Sequence, residues 1–207
     1  MPSQLCDQCL LSLESAPTQP RNCNLAEILA PYFEKGGVSV CANLPYYITT
    51  PILMTLLESN LPFDYITVMI QEEVADRLCA DVGGKACGAI TATLNYYGTP
   101  EKLFTVRSDR FIPEPKVDSA VVRIKLHKDK PYKPIDEPTF FRTIRGAFEQ
   151  RRKTLPNSLS SVFSELSKSD ISDIITACGH DLNIRGERLS LPDICKLSDM
   201  LYNKINQ

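Results

Sequence analysis

Lys128 to Pro138, a stretch with three prolines, separates two kinds of pattern and constrains the fold more than any other feature of the sequence. Before it, short β-rich runs alternate with helical patterns; after it the pattern is helical to the end. Val38-Ser39-Val40-Cys41-Ala42 reads as a compact strand buried on both faces. A helical pattern precedes it from Asn24 (Leu25, Ile28, Leu29, Tyr32) and stops at Gly36-Gly37. A helix is expected from Pro51 to Leu57, then a strand at Tyr65 to Ile70 and a helix through Val74 and Leu78. Ala89 to Tyr97 reads as a further helix, and Leu103 to Val106 and Ala120 to Leu126 as two strands. Phe111 to Lys116, between those strands, is too rich in proline for either element. This order predicts an α/β sheet with an antiparallel edge, followed by a small all-α domain. The organisation expected is a loose leader over 1–21, a sheet-bearing part over 22–130 and a helical part over 131–207.

Charge is unevenly spread. The net is −2 overall, but −6 over residues 1–99, +6 over 100–160 and −2 over 161–207. The middle segment argues for a polyanionic partner, although a solvated basic face explains the asymmetry equally well by itself. No stretch reaches 18 uninterrupted apolar residues, so no membrane span is expected. The first residues lack the basic start and cleavage site of a secretory signal, and the eight cysteines are scattered, as thiols are in a reducing compartment. The chain reads as cytoplasmic. Cys6-x-x-Cys9 has no second pair at zinc-like spacing, and His127 and His180 are remote in sequence, so no metal is expected. Gly83-Gly84-Lys85-Ala86-Cys87-Gly88 lacks the ending of a phosphate loop and reads as a plain loop.

Asn43-Leu44-Pro45-Tyr46 stands where the first predicted strand ends, and ligands bind at the carboxyl ends of strands in open α/β sheets. The residue types suit methylation of an exocyclic amine on a base. Such an amine has its lone pair delocalised into the ring, so it needs acceptors for its two hydrogens more than it needs a strong base. The Asn43 side-chain carbonyl is one acceptor. Pro45 biases Leu44 to an extended backbone and so aims the Leu44 carbonyl as a second. Tyr46 can stack on a base turned out of its helix. An Asx-type turn at a strand end is the competing explanation of the four residues.

Asn43-Leu44-Pro45-Tyr46-Tyr47-Ile48-Thr49-Thr50-Pro51-Ile52 resembles the catalytic segment of the ribosomal RNA adenine dimethyltransferases of the KsgA type. Phe111-Ile112-Pro113-Glu114-Pro115-Lys116-Val117-Asp118-Ser119-Ala120-Val121-Val122 and Phe148-Glu149-Gln150-Arg151-Arg152-Lys153-Thr154-Leu155 match the same family in the same order. Gln71 to Leu78 and Leu189-Ser190-Leu191 fit as well, and the resemblance runs from about residue 22 to the end. It implies a partial Rossmann-like class I methyltransferase sheet followed by a small helical domain. It also implies methyl transfer from S-adenosylmethionine to adenines of small-subunit ribosomal RNA, on the ribosomal small-subunit precursor. In that family Asn43 would hold the amine and touch the cofactor, Tyr46 would stack on the adenine and Phe111 would cover its other side. Phe111 also reads as a core aromatic beside a turn. The large-subunit RNA methyltransferases that confer antibiotic resistance are the runner-up; Tyr47 to Pro51 favours the small-subunit group.

On a helical wheel Phe140, Ile144, Ala147 and Phe148 share one face, an amphipathic helix packed on a core. Arg142, Arg145, Arg152 and Lys153 fall on the opposite arc, where with Lys116 they would neutralise RNA phosphates, or merely solvate a face. Arg151, within the family-like segment and also expected among the RNA-binding residues, projects toward the apolar side, so either it pairs with a carboxylate there or the helix has ended. Pro156, where the family commonly has another basic residue, is expected to break or bend the helix just after Leu155. Gly-x-Gly occurs nowhere in the 207 residues, and no strand upstream of Asn43 ends in an acidic residue. The glycine turn and ribose partner of the cofactor are therefore the missing parts of the pattern. A non-catalytic RNA-binding or ribosome-assembly factor is the alternative function that this departure keeps open.

Overall fold

The computed structural model describes residues 25–34 and 36–207; the leader over 1–21 and the Cys6–Cys9 pair lie outside them. Helix α1 (Leu25–Phe33) leads to strand β1 (Val38–Asn43), a 3-10 turn at Tyr46–Ile48 and α2 (Thr49–Glu58). Strand β2 (Phe63–Gln71), α3 (Glu72–Leu78), α4 (Ala89–Tyr97), β3 (Gly98–Val106) and β4 (Ser119–Leu126) follow. The rest is helical: α5 (Glu137–Glu149), α6 (Leu155–Ser160), α7 (Lys168–Ala177), a 3-10 turn at Gly186–Arg188, and α8 (Leu191–Ile205). The expected α/β part and all-helical remainder are both present.

The sheet order is β1-β2-β4-β3, with β1 parallel to β2 and the other two pairs antiparallel. Alternation decides its faces. Ile66, Val68 and Ile70 of β2 stand opposite Ile124, Val122 and Ala120 of β4, and all six are fully buried. Their neighbours Tyr65, Thr67, Met69 and Gln71 point to the other face and are half-buried.

Two strands differ from expectation. Strand β1 is not buried on both faces: Val40 and Ala42 pack on the core, while Ser39, Cys41 and Asn43 are exposed. It is an edge strand among the described residues, so only one of its faces is covered. Strand β3 begins five residues earlier than predicted, through Pro100-Glu101-Lys102, and a bulge at Leu103 shifts its register. The other edge of the sheet tolerates these residues because a proline there leaves no ladder bond unmade.

Helix α5 carries the sheet part into the helical part. Its buried face, Phe140, Ile144, Ala147 and Phe148, is the one the wheel predicts. Asp136 caps it, accepting from the Thr139 N–H at 2.8 Å, and Pro138 sits in its first turn. Phe140 and Phe141 pack with Tyr96 and Tyr97 of α4 at ring separations of 4.8 to 5.7 Å. The Tyr96 hydroxyl donates to Glu137 at 2.7 Å, and Lys130 completes the cluster at 2.6 Å from the same carboxylate. Burial pushes the Tyr97 hydroxyl up to about 12 and Tyr96 further, while Lys130 and Tyr96 hold Glu137 below its ordinary range.

The helix ends six residues before Leu155. Gln150 leaves helical geometry (φ −121°, ψ 68°), residues 151–153 form a turn, and Pro156 lies in the first turn of α6. Pro156 therefore starts a helix instead of breaking one, since the N–H it lacks would be unpaired there anyway. Arg152 and Lys153 stand on that turn and not on the arc of α5. Arg151 meets both alternatives at once, because the helix has ended and its guanidinium lies 3.5 Å from Glu187.

Among the described residues no helix is long and apolar enough to cross a membrane, and no three potential ligands gather as a metal site.

Candidate functional site

The site is assembled where β1 and β2 end and β4 begins. Asn43 is the last residue of β1, in register with Met69 of β2. Leu44 turns its side chain into the core, 4% exposed, which pins the backbone that follows. Pro45 (φ −57°, ψ 132°) extends the chain for one residue. Its carbonyl then accepts from the Ile48 N–H at 3.1 Å and the Thr49 hydroxyl at 3.2 Å, folding Tyr46–Ile48 into the turn that feeds α2. Among the described residues neither the Asn43 side chain nor the Leu44 carbonyl has a hydrogen-bond partner. Both acceptors are thus free beside each other at a strand end.

Tyr46 is held differently. Its hydroxyl lies 2.9 Å from the hydroxyl of Ser119, the buried first residue of β4, while 38% of the residue stays exposed. That bond fixes the ring by its far end and leaves its surface accessible. Ser119 is a contributor the sequence reading did not single out, although it belongs to the segment Phe111–Val122 that carried the resemblance.

The same bond joins the 43–46 motif to the loop bearing Phe111 and Lys116. Asp118 closes this loop, its carboxylate accepting from the Ser108 N–H at 2.8 Å and its carbonyl from the Glu72 N–H at 3.0 Å. Phe111 is half-buried in the loop, and no ring of the described residues stacks on it or on Tyr46. Lys116 and Asp118 line a groove of about 540 Å³ with Gln71, Glu72, Glu73 and Asp76. Lys102 of β3 bridges its wall, 3.0 Å from Glu72 and 2.7 Å from Asp76. The bonds from Lys102 and Thr105 hold the Glu72 carboxyl below its usual range.

The basic residues predicted to face RNA are not equivalent. Arg145, Arg152 and Lys153 are exposed and lack a carboxylate within 4 Å among the described residues. Arg142 is engaged within the fold. It donates to Glu165 at 2.8 Å and to the Val162 carbonyl, with its guanidinium 4.3 Å from the centre of the Phe163 ring. Arg142→Gln is expected to cost about 1–2 kcal/mol of stability, since a charge-assisted bond is lost and Glu165 is left without its partner. Urea denaturation measures it; an unchanged midpoint would show the cluster to be ornamental.

The residues present fit the base side of a methyl-transfer site and not the cofactor side. Asn43 is free and exposed, but no glycine turn or acidic strand end stands beside it among the described residues.

The family model described as ribosomal RNA adenine dimethylase matches residues 33–177. A ribosomal RNA small subunit methyltransferase A of Lachnoclostridium phytofermentans is 46% identical over 176 residues, covering 83% of this chain and 61% of its own length. The protein of that name from Halothermothrix orenii is 43% identical over 182 residues, covering 85% and 60%. The chain therefore spans about 60% of the length of these curated relatives. Among solved structures, a dimethyladenosine transferase from Plasmodium falciparum shares the fold, with a TM-score of 0.68 and 22% identity, over 81% of this chain and 67% of that one.

Proposed function

We propose, since this chain belongs to the ribosomal RNA adenine dimethylase family, that it supplies the base-holding and RNA-facing part of an enzyme that dimethylates adenine amines in small-subunit ribosomal RNA. The observation that carries this reading is the pair of free acceptors, the Asn43 side chain and the Leu44 carbonyl, beside a tyrosine tethered by its hydroxyl. Asn43 accepts one hydrogen of the exocyclic amine and Leu44 the other. Held that way, the nitrogen lone pair swings out of conjugation with the ring and becomes nucleophilic as its hydrogens gain positive charge. Tyr46 stacks on the extruded adenine, Ser119 keeps the ring in place, and Phe111 covers the opposite face. S-adenosylmethionine supplies an electrophilic methyl group when bound. Residues 22–130 would carry this chemistry, and residues 131–207, with Arg145, Arg152 and Lys153, would meet the phosphates of the substrate.

The small subunit is preferred over the large because Tyr47 to Pro51 matches that group and the relatives at 43% and 46% identity bear its name. Residues 25–207 grafted onto the preceding part of the Halothermothrix orenii protein should methylate unmethylated small-subunit RNA in its ribosomal particle. Methyl incorporation counted separately in the two ribosomal RNAs checks this, and label found mainly in the large-subunit RNA would overturn it.

A further inference from the structure

Phe111 sits in the connection 107–118 between β3 and β4, and little of that connection packs on the fold. Ile112 is fully exposed, and Pro113, Glu114, Lys116 and Val117 are exposed as well. The ion pairs there, Arg107 and Arg110 with Asp109, are solvated and join near neighbours, so they contribute little. The place of Phe111 is therefore set by the few bonds made at the base of the loop.

Those bonds run in series. The Asp118 carboxylate accepts from the Ser108 N–H at 2.8 Å, and the Ser108 carbonyl in turn accepts from the Phe111 N–H at 3.2 Å. The Ser108 hydroxyl donates to Glu114 at 3.2 Å, tying the far side of the loop to the same residue. Asp118 is anchored from another direction. Its carbonyl accepts from the Glu72 N–H at 3.0 Å, and the Glu72 carboxylate is braced by Lys102 and Thr105 at 3.0 and 2.8 Å. The next residue, Ser119, is in register with Gln71 of β2 and bonds to Tyr46. Among the described residues the Asp118 carboxylate has no cation within 4 Å and no second donor. Its side chain serves the loop alone, while its main chain belongs to the sheet.

We infer that Asp118 is a positioning residue for methyl transfer: acting through Ser108, it fixes the place of Phe111 before the extruded adenine arrives. This rests on the reading of Phe111 as the ring that covers the base. A ring on an unheld loop has to be ordered when the base enters, and the entropy lost then weakens binding. A ring held beforehand avoids that loss. Asp118 acts at one remove from the base and the methyl group, so its removal acts on KM and leaves kcat nearly unchanged.

The bond itself is tested in the 207-residue chain. Asp118→Ala should speed hydrogen exchange of the Ser108 and Phe111 amides about tenfold, whereas Asp118→Asn, which keeps an oxygen acceptor, should stay close to the parent. Unchanged exchange in the alanine variant overturns the inference. The consequence is read in residues 25–207 grafted onto the preceding part of the Halothermothrix orenii protein. There D118A should raise KM for the RNA about fivefold with kcat within about twofold, and D118N should restore KM. A fall in kcat at unchanged KM overturns the inference. Made in a Phe111→Ala background, D118A should raise KM no further, because the two residues act as one unit. Full additivity of the two substitutions overturns the inference while the role of Phe111 stands. A Phe111→Ala variant with unchanged kinetics overturns the reading of Phe111 and the inference with it.

Discussion

Asn43→Ala lowers methyl transfer at least about tenfold, a loss of 1.4 kcal/mol or more, while RNA affinity stays within about twofold. The expectation follows from what the residue touches. Its side chain has no partner among the described residues and stands exposed at the end of β1, so removing it leaves none of their buried groups unsatisfied. Nor does it carry charge to offer a phosphate. Its bond to the amine strengthens only as the nitrogen begins to donate its lone pair, which makes it a transition-state interaction and hardly a binding one. Asn43→Asp keeps an oxygen acceptor in place and should retain more rate than the alanine variant. The graft of residues 25–207 onto the Halothermothrix orenii protein provides the assay, with methyl incorporation and RNA binding measured in one buffer. An alanine variant keeping more than about a tenth of the rate would falsify the role.

Tyr46 shows why a site of this kind is only half legible in a sequence. The run Asn43-Leu44-Pro45-Tyr46 is local, so residue types and a predicted strand end suffice to suggest its chemistry. Ser119 lies 73 residues away and reveals its part only when β4 is laid beside β2 and the two hydroxyls meet. Arg142 repeats the lesson. Its position on a polar arc says phosphate, but Glu165 and Phe163, about twenty residues on, fold back to claim it. Arg151 is the converse case: two residues past the end of α5, it is tied by packing to the carbonyls of Lys85 and Cys87 and to Glu187.

The same distinction runs through the fold. Helix α4 is read with its observed bounds, and β2 and β4 to within two residues, because their apolar periodicity is strong and their neighbours break it sharply. Strand β1 was harder, since Val-Ser-Val-Cys-Ala is small and uncharged throughout and hides the alternation that the structure reveals. Helix α5 stops at Glu149 although Gln150 to Leu155 are mostly acceptable helix formers. What stops it is tertiary: Arg151 reaches to the 83–88 loop, and Leu155 gives its N–H to Ile184 instead of to the preceding turn.

S-adenosylmethionine binds the 207-residue chain no more tightly than about 1 mM, near −4 kcal/mol. A cofactor of this size is gripped along its whole length: backbone approaching its methionine end at a glycine turn, an acidic residue on its ribose, and apolar walls around its base. The described residues offer one of these edges, Asn43 at the end of β1. The nine glycines include no Gly-x-Gly, and the exposed face of β1 presents Ser39, Cys41 and Asn43. One contacted edge does not offset the translational and rotational freedom lost on association, nor the desolvation of a charged ligand. The same chain, however, should bind RNA, because Arg145, Arg152 and Lys153 are exposed and lack a carboxylate within 4 Å among the described residues. Cofactor and RNA affinities therefore separate the two functions left open by the sequence. Millimolar cofactor binding beside tight RNA binding describes a polypeptide that holds the substrate and needs the missing glycine turn to act on it. Titration calorimetry with S-adenosylmethionine gives the answer directly, and a micromolar dissociation constant would mean that these 207 residues build a cofactor site without a glycine turn.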